Sequence, residues 1–212
     1  MLKTLMITTA FALTATAALG APMLSRDGRV TSAARLPLAG GVRHAHVPSL
    51  YSVVYDSIGS GYNCCSGWTI SAVGSVIGAQ FWPAIQITLP TNESLTQLDV
   101  GVGYVTGTNA VQLAIYKDKK GLPGKMCWSG DASNLPTFGS TSTATVSATV
   151  KKCKFKANKP FWVAVQTDAN SSDTWDAWNV SNTTNAPLAE NTGSGWTSSG
   201  TQAAGAVIVY GN

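Results

Sequence analysis

The stretch LDVGVGYVTGTNAVQLAI, residues 98 to 115, carries the pattern that decides the fold. Leu98, Val100, Val102 and Tyr104 recur at every second position, and Val111, Leu113 and Ile115 do the same after Thr-Gly-Thr-Asn. A period of two puts each set on one face of an extended strand. The residues between them are turn formers. The two runs are expected to form a hairpin.

The same alternation extends outward through the chain. Phe81, Ile85, Ile87 and Leu89 form one face, Phe161, Val163 and Val165 another, and Ala206, Ile208 and Tyr210 the last. Pro83 implies an edge position or a bulge for its strand, because proline donates no ladder hydrogen bond. Lys152, Lys154 and Lys156 alternate with Cys153 and Phe155, the pattern of an edge strand that lysines keep from pairing with another chain. Residues 129 to 141 read as a long loop. No stretch of a dozen residues carries a helical apolar stripe. The fold class is therefore all-β, a two-sheet, jelly-roll-like β-sandwich of about eight to ten strands. An immunoglobulin-type sandwich fits less well, since it wants a Cys, Trp, Cys order bridging its sheets.

Residues 1 to 20, MLKTLMITTAFALTATAALG, read as a secretory signal peptide: one Lys, a short apolar stretch diluted by threonine, then small residues before Ala21. The stretch is shorter and less apolar than a spanning helix needs. Residues 21 to 47 show no periodicity and read as a flexible linker or pro-segment, and 48 to 212 form the sandwich domain. The net charge of +4 belongs to this N-terminal region, where Arg26, Arg29, Arg35 and Arg43 face only Asp27. From residue 48 onward nine Lys balance nine Asp and Glu. A neutral body argues against a nucleic-acid partner. The protein is expected to be secreted or periplasmic, with no membrane span after cleavage.

Four cysteines in an exported chain read as disulfides. Of three connectivities, the preferred one joins Cys127 to Cys153 and leaves Cys64 with Cys65. The first closes a loop of about 25 residues and contributes roughly 3.5 kcal/mol on the chain-entropy model. The second joins neighbours whose alpha carbons stand about 3.8 Å apart, closer than the usual bridge.

Several motifs run in order: YNCCSGW at 62 to 68, VGVGYVTGTNAVQLAIYKDKKGLPGK at 100 to 125, NLPTFG at 134 to 139, FWVAVQTD at 161 to 168 and DTWDAWN at 173 to 179. Together they resemble the bacterial exported domain called choice-of-anchor R, over residues 50 to 211. The resemblance implies an exported β-sandwich from a group whose members differ in how they are held at the surface. It implies no activity, ligand or catalytic residue.

Polar oxygens and aromatic rings crowd together in TDANSSDTWDAWN, residues 167 to 179. Asp168, Asn170, Ser172 and Asp176 follow the oxygen spacing at the start of a calcium loop, but Asp173 replaces the turn glycine and Asn179 the bidentate Glu. A looser calcium site from Asp168, Asn170, Asp173 and Asp176 is one reading; an ordinary Asx-turn loop is the other. No other cofactor is expected. An indole can also stack on a sugar face while Asp, Asn and Gln bind hydroxyls. Trp162, Asp173, Trp175, Asp176 and Trp178 are therefore candidate ligand residues, with structural packing as the alternative for each ring. If 173 to 180 is a strand, Trp175 and Trp178 point to opposite faces.

Both histidines, His44 and His46, precede the body, so a Ser or Cys nucleophile there has no histidine base. The expected function is an exported, non-enzymatic binding module with an extracellular glycan as partner. A structural or adhesive surface protein is the alternative. A glycoside-active enzyme, which needs two carboxylates across a cleft, comes third.

Overall fold

The computed structural model describes residues 23–25, 28–31, 51–59, 61–140, 145–168 and 170–212. The expected signal peptide, both histidines and most of the 21–47 segment lie outside them. Fourteen strands form among the described residues, and no helix. In chain order they begin with β1 (Met23–Leu24), β2 (Arg29–Thr31), β3 (Ser52–Asp56), β4 (Tyr62–Ser71) and β5 (Trp82–Thr88). Next come β6 (Glu93–Val100), β7 (Val102–Thr106), β8 (Ala110–Asp118), β9 (Pro123–Ser133) and β10 (Val146–Phe155). The last four are β11 (Pro160–Gln166), β12 (Trp175–Asn191), β13 (Trp196–Gly205) and β14 (Val207–Gly211).

Two antiparallel sheets face each other, as the alternation predicts. The large sheet runs β1-β2-β4-β12-β5-β11-β8-β9, with β7 and β13 also paired to β12, and the small sheet runs β10-β6-β14-β3. Strand count exceeds the expected eight to ten because the arm adds β1 and β2 and because changes of sheet divide β6 from β7 and β13 from β14. The inward-facing sets form one core: Ile85 and Ile87, Leu98 and Val100, Val111, Leu113 and Ile115, and Phe161, Val163 and Val165, joined on β14 by Val207 and Val209 rather than by the expected Ala206, Ile208 and Tyr210, which pack with Ile58 and Tyr62 on its other face.

The expected hairpin does not form. The run from residue 98 to 106 breaks at Gly101: β6 lies in the small sheet between β10 and β14, whereas β7 pairs with β12 in the large one. β8 pairs instead with β9 and β11. A Cβ at Gly101 would stand 2.9 Å from the Tyr62 ring and 3.0 Å from Ala206 Cβ, so this crossing between sheets needs glycine. Leu98, Val100 and Val102 still face the same interior, because each sheet turns its apolar face inward.

Other expectations resolve locally. β5 is an interior strand rather than an edge. Pro83 sits at its start, opposite Glu190 of β12, before the β11 ladder begins at Ala84, so no partner on that side misses its N–H. The lysine-bearing β10 is an edge of the small sheet. β9 continues through Ser133, shortening the loop expected from residue 129. Within the segment read as an unstructured linker, β2 pairs with β4, and Val30 and Leu24 pack against Phe138 and Trp175. Those apolar side chains give this part of the arm surface to bury.

Both cysteine pairs lie at disulfide distance, Cys64 with Cys65 and Cys127 with Cys153. The second, with alpha carbons 5.8 Å apart, ties β9 to β10 and so joins an edge of each sheet. Cys64 and Cys65 occupy a bulge in β4, where the ladder with β12 jumps from Gly67 to Asn63.

Candidate functional site

The tryptophan-rich segment that draws attention in the sequence becomes the first part of β12, and its indoles go to different places. Trp178 has no exposed surface; it sits between the sheets and donates from its indole N–H to the Ala206 carbonyl at 3.0 Å. Trp175 lies on the other face of β12, packed with Val30, Phe138 and Ala177. Trp162, 1 % exposed, is on the outer face of the large sheet and donates to Asp118 Oδ1 at 2.9 Å. None of the three presents an open ring face.

Of the four candidate calcium ligands, Asp168 and Asn170 stay together while Asp173 and Asp176 take other partners. Asp168 Oδ1 accepts from the Asn170 N–H at 2.9 Å, forming an Asx turn. Asp173 is exposed and accepts from both the Thr108 hydroxyl at 2.6 Å and the Thr108 N–H at 3.1 Å, which holds its pKa below the ordinary value. Asp176 is fully buried, and its Oδ1 accepts from the Val105 N–H at 3.1 Å where β7 bulges against β12. Its Oδ2 has no partner. Burial pushes its pKa up to about 8, only partly opposed by the Val105 hydrogen bond. Among the described residues, no three His, Cys, Asp or Glu side chains stand close enough to share a metal ion.

The structure assembles a different site on the outer face of the large sheet. In each of three adjacent strands the positions opposite the core read large, Ala, large: Trp82-Ala84-Gln86, Trp162-Ala164-Gln166 and Gln112-Ala114-Tyr116. Strand register brings Ala84, Ala164 and Ala114 side by side, and Ala189 of β12 continues the row. Four fully buried alanines thus form a narrow floor. Small side chains there leave room for rings, and Tyr116, Trp162 and Trp196 fill it, with Tyr116 and Trp196 meeting edge to face at 5.5 Å.

Beside this floor a second row crosses the sheet: Asp131 of β9 pairs with Gln112 of β8 and Gln112 with Gln166 of β11, while Trp82 of β5 pairs with Asn191 of β12 and Asn191 with Trp196 of β13, the two halves sharing the register of the Ala164–Ala84 pair at which the β11–β5 ladder ends. Its polar groups are already linked. Gln112 donates to Asp131 Oδ1 at 3.1 Å, Gln166 donates to Gln112 Oε1 at 2.9 Å, and the Tyr116 hydroxyl donates to Gln166 Oε1 at 2.7 Å. Trp82 donates to the Thr167 hydroxyl at 2.9 Å. Burial raises the Tyr116 pKa above 10.0, with the Gln166 bond opposing it, so the phenol stays a donor at neutral pH. Asp131 is exposed, and Gln112, Trp82, Asn191 and Trp196 are half-buried. On the far side of the alanine floor, Asp118 accepts from Gln86 at 3.0 Å and from Trp162.

Indoles, amides and carboxylates held in fixed orientations can take a hydroxyl-rich ligand without reorganising. Of these residues only Trp162 was a candidate from the sequence, and here it supports the floor. The repeated large-Ala-large triplets are the local signal that marks the face. A separate shallow cleft between Tyr62, Cys64, Gly103 and Phe138 encloses about 10 Å³, room for about one water. Compared with known protein families, curated proteins and solved structures, the chain matches none.

Proposed function

We propose that the outward row of Asp131, Gln112, Trp82, Asn191 and Trp196, backed by the buried Gln166, is a glycan-binding face, and that the protein is an exported, non-enzymatic binding module. The observation that carries this reading is the register, which lines up indole, amide and carboxylate side chains from six strands on one face. Sugar rings offer an apolar face for an indole and hydroxyls that both donate and accept, and this row supplies partners for each. Both nearby carboxylates are occupied as acceptors, Asp131 by Gln112 and Asp118 by Gln86 and Trp162, which suits positioning better than proton transfer. Cysteine pairs at bonding distance fit folding in an oxidising compartment, and the apolar leader supports export. The resemblance to choice-of-anchor R domains agrees with an exported sandwich and names no ligand.

Isothermal titration of the purified protein, with oligosaccharides chosen from a glycan array, tests this reading. Trp82→Ala and Gln112→Ala are expected to weaken binding at least about tenfold, as expected for losing a stacked ring or an oriented hydrogen bond. A similar substitution on the opposite side of the sandwich, Val53→Ala, is expected to leave it unchanged. Absence of any bound glycan, or equal binding by Trp82→Ala, refutes the assignment.

A further inference from the structure

The hydrogen-bonded row has a direction. A glutamine side chain can be turned either way, offering its oxygen or its NH2 to a given neighbour, and a phenol can donate or accept. A carboxylate can only accept. With Asp131 at the exposed end, Gln112 must turn its NH2 toward it. That leaves Gln112 Oε1 for Gln166, whose NH2 donates at 2.9 Å, and leaves Gln166 Oε1 for the Tyr116 hydroxyl. One carboxyl group at the rim therefore orients two amides and a phenol across three strands.

We propose that Asp131 is the specificity-determining residue of this face: it sets the polarity of the Tyr116, Gln166, Gln112, Asp131 row and so selects uncharged, hydroxyl-bearing ligands over anionic ones. This inference rests on the glycan-binding reading of the same face. In the fixed direction, the free oxygen of Asp131 stands at the rim as an acceptor of hydroxyl protons, and Gln112 keeps one N–H to donate. The remaining members of the row and its alanine-floor neighbours, Trp82, Asn191, Trp196, Ser129 and Ser198, carry no cation. An anionic sugar would meet the Asp131 carboxylate without a compensating charge, and like charges at close range repel. A neutral pyranoside would satisfy the carboxylate with its own hydroxyls.

Replacing Asp131 by Asn removes the constraint while keeping the shape, because Asn can donate or accept and both directions of the row become available. Gln112 and Gln166 are positioning residues in this scheme, and their side-chain amides report on it directly. The ¹H–¹⁵N side-chain resonances of Gln112 and Gln166 are to be recorded for wild type, Asp131→Asn and Asp131→Glu. Binding of neutral cellohexaose and chitohexaose, and of anionic oligogalacturonate, is to be measured by calorimetry in parallel.

The expected result is that Asp131→Asn shifts both glutamine amides, the distant Gln166 included. It is also expected to weaken the neutral hexaoses at least about tenfold and to narrow their advantage over oligogalacturonate, while Asp131→Glu retains the neutral preference. Unchanged Gln166 resonances in Asp131→Asn overturn the polarity assignment whatever binds. Tighter binding of oligogalacturonate than of the neutral hexaoses by wild type overturns the selectivity. If no oligosaccharide binds wild type while the amide shifts appear as expected, the glycan reading and the selectivity fail together and only the ordering role of Asp131 stands.

Discussion

Asp176 is expected to contribute a loss of stability as pH rises through neutrality. Its carboxyl has no exposed surface, one hydrogen bond from Val105 and an unpartnered second oxygen, and burial raises its pKa from 3.8 to about 8. In the unfolded chain the group ionises near its ordinary value. Between about pH 4 and pH 8 the folded state therefore holds one proton that the unfolded state has released. The contribution of Asp176 is full below pH 4 and falls with increasing pH at up to about 1.4 kcal/mol per pH unit, levelling off above about pH 8. From pH 4 to pH 7 the loss is about 4 kcal/mol, which for a domain of this size lowers the melting temperature by about 10 °C.

Asp176→Asn keeps an oxygen for the Val105 N–H and cannot ionise. Its melting temperature is expected to match wild type near pH 4, to stay higher as pH rises, and to exceed wild type by about 10 °C at pH 7. Urea titrations at pH 4, 5.5, 7 and 8.5 on both proteins measure the difference directly, and comparing the two cancels every other titrating group. Parallel pH profiles for wild type and Asp176→Asn would refute the reasoning, because they would mean that Asp176 is ionised or well solvated in the folded protein.

Two further outcomes test the packing and the cross-links. Gly205 faces the Trp178 indole so closely that any Cβ would run into the ring, so Gly205→Ala is expected to destabilise by about 2 kcal/mol or more, read from the urea midpoint. Replacing Cys127 and Cys153 together by serine is expected to cost about 3.5 kcal/mol because it frees a long loop and unties the two sheet edges. Replacing Cys64 and Cys65 removes almost no loop-closure entropy and is expected to cost far less. Equal losses for the two pairs would count against the entropic account.

How much could be read in advance differs between the fold and the site. Alternation at 98 to 104, 111 to 115 and 161 to 165 identifies the inward-facing residues correctly, because the two-residue period is a local property of an extended chain. Ladder partners are not local. A strand edge offers the same N–H and C=O groups to any neighbour, so proximity in sequence favoured a hairpin between two runs that the folded chain places with other partners. The concentration of Trp and Asp at 173 to 178 likewise does not tell which of these side chains reach the surface. Trp175, Asp176 and Trp178 are buried, Asp176 holds β7 through Val105 and the exposed Asp173 holds Thr108, while the polar row on the outer face draws single residues from strands far apart in sequence.

Composition and the period of two by themselves determined an all-β chain, the inward face of most of its central strands and the residues available for cross-links. Tertiary structure alone decided where the chain changes sheets, which indoles are buried and which carboxyl group is buried with one oxygen unpartnered. It also decided that Asp131, Gln112, Gln166, Trp82, Asn191 and Trp196 stand in one line. The physical reason is that facing is set by the geometry of each strand, whereas burial and alignment depend on which strands meet, and that is settled by packing over the whole core.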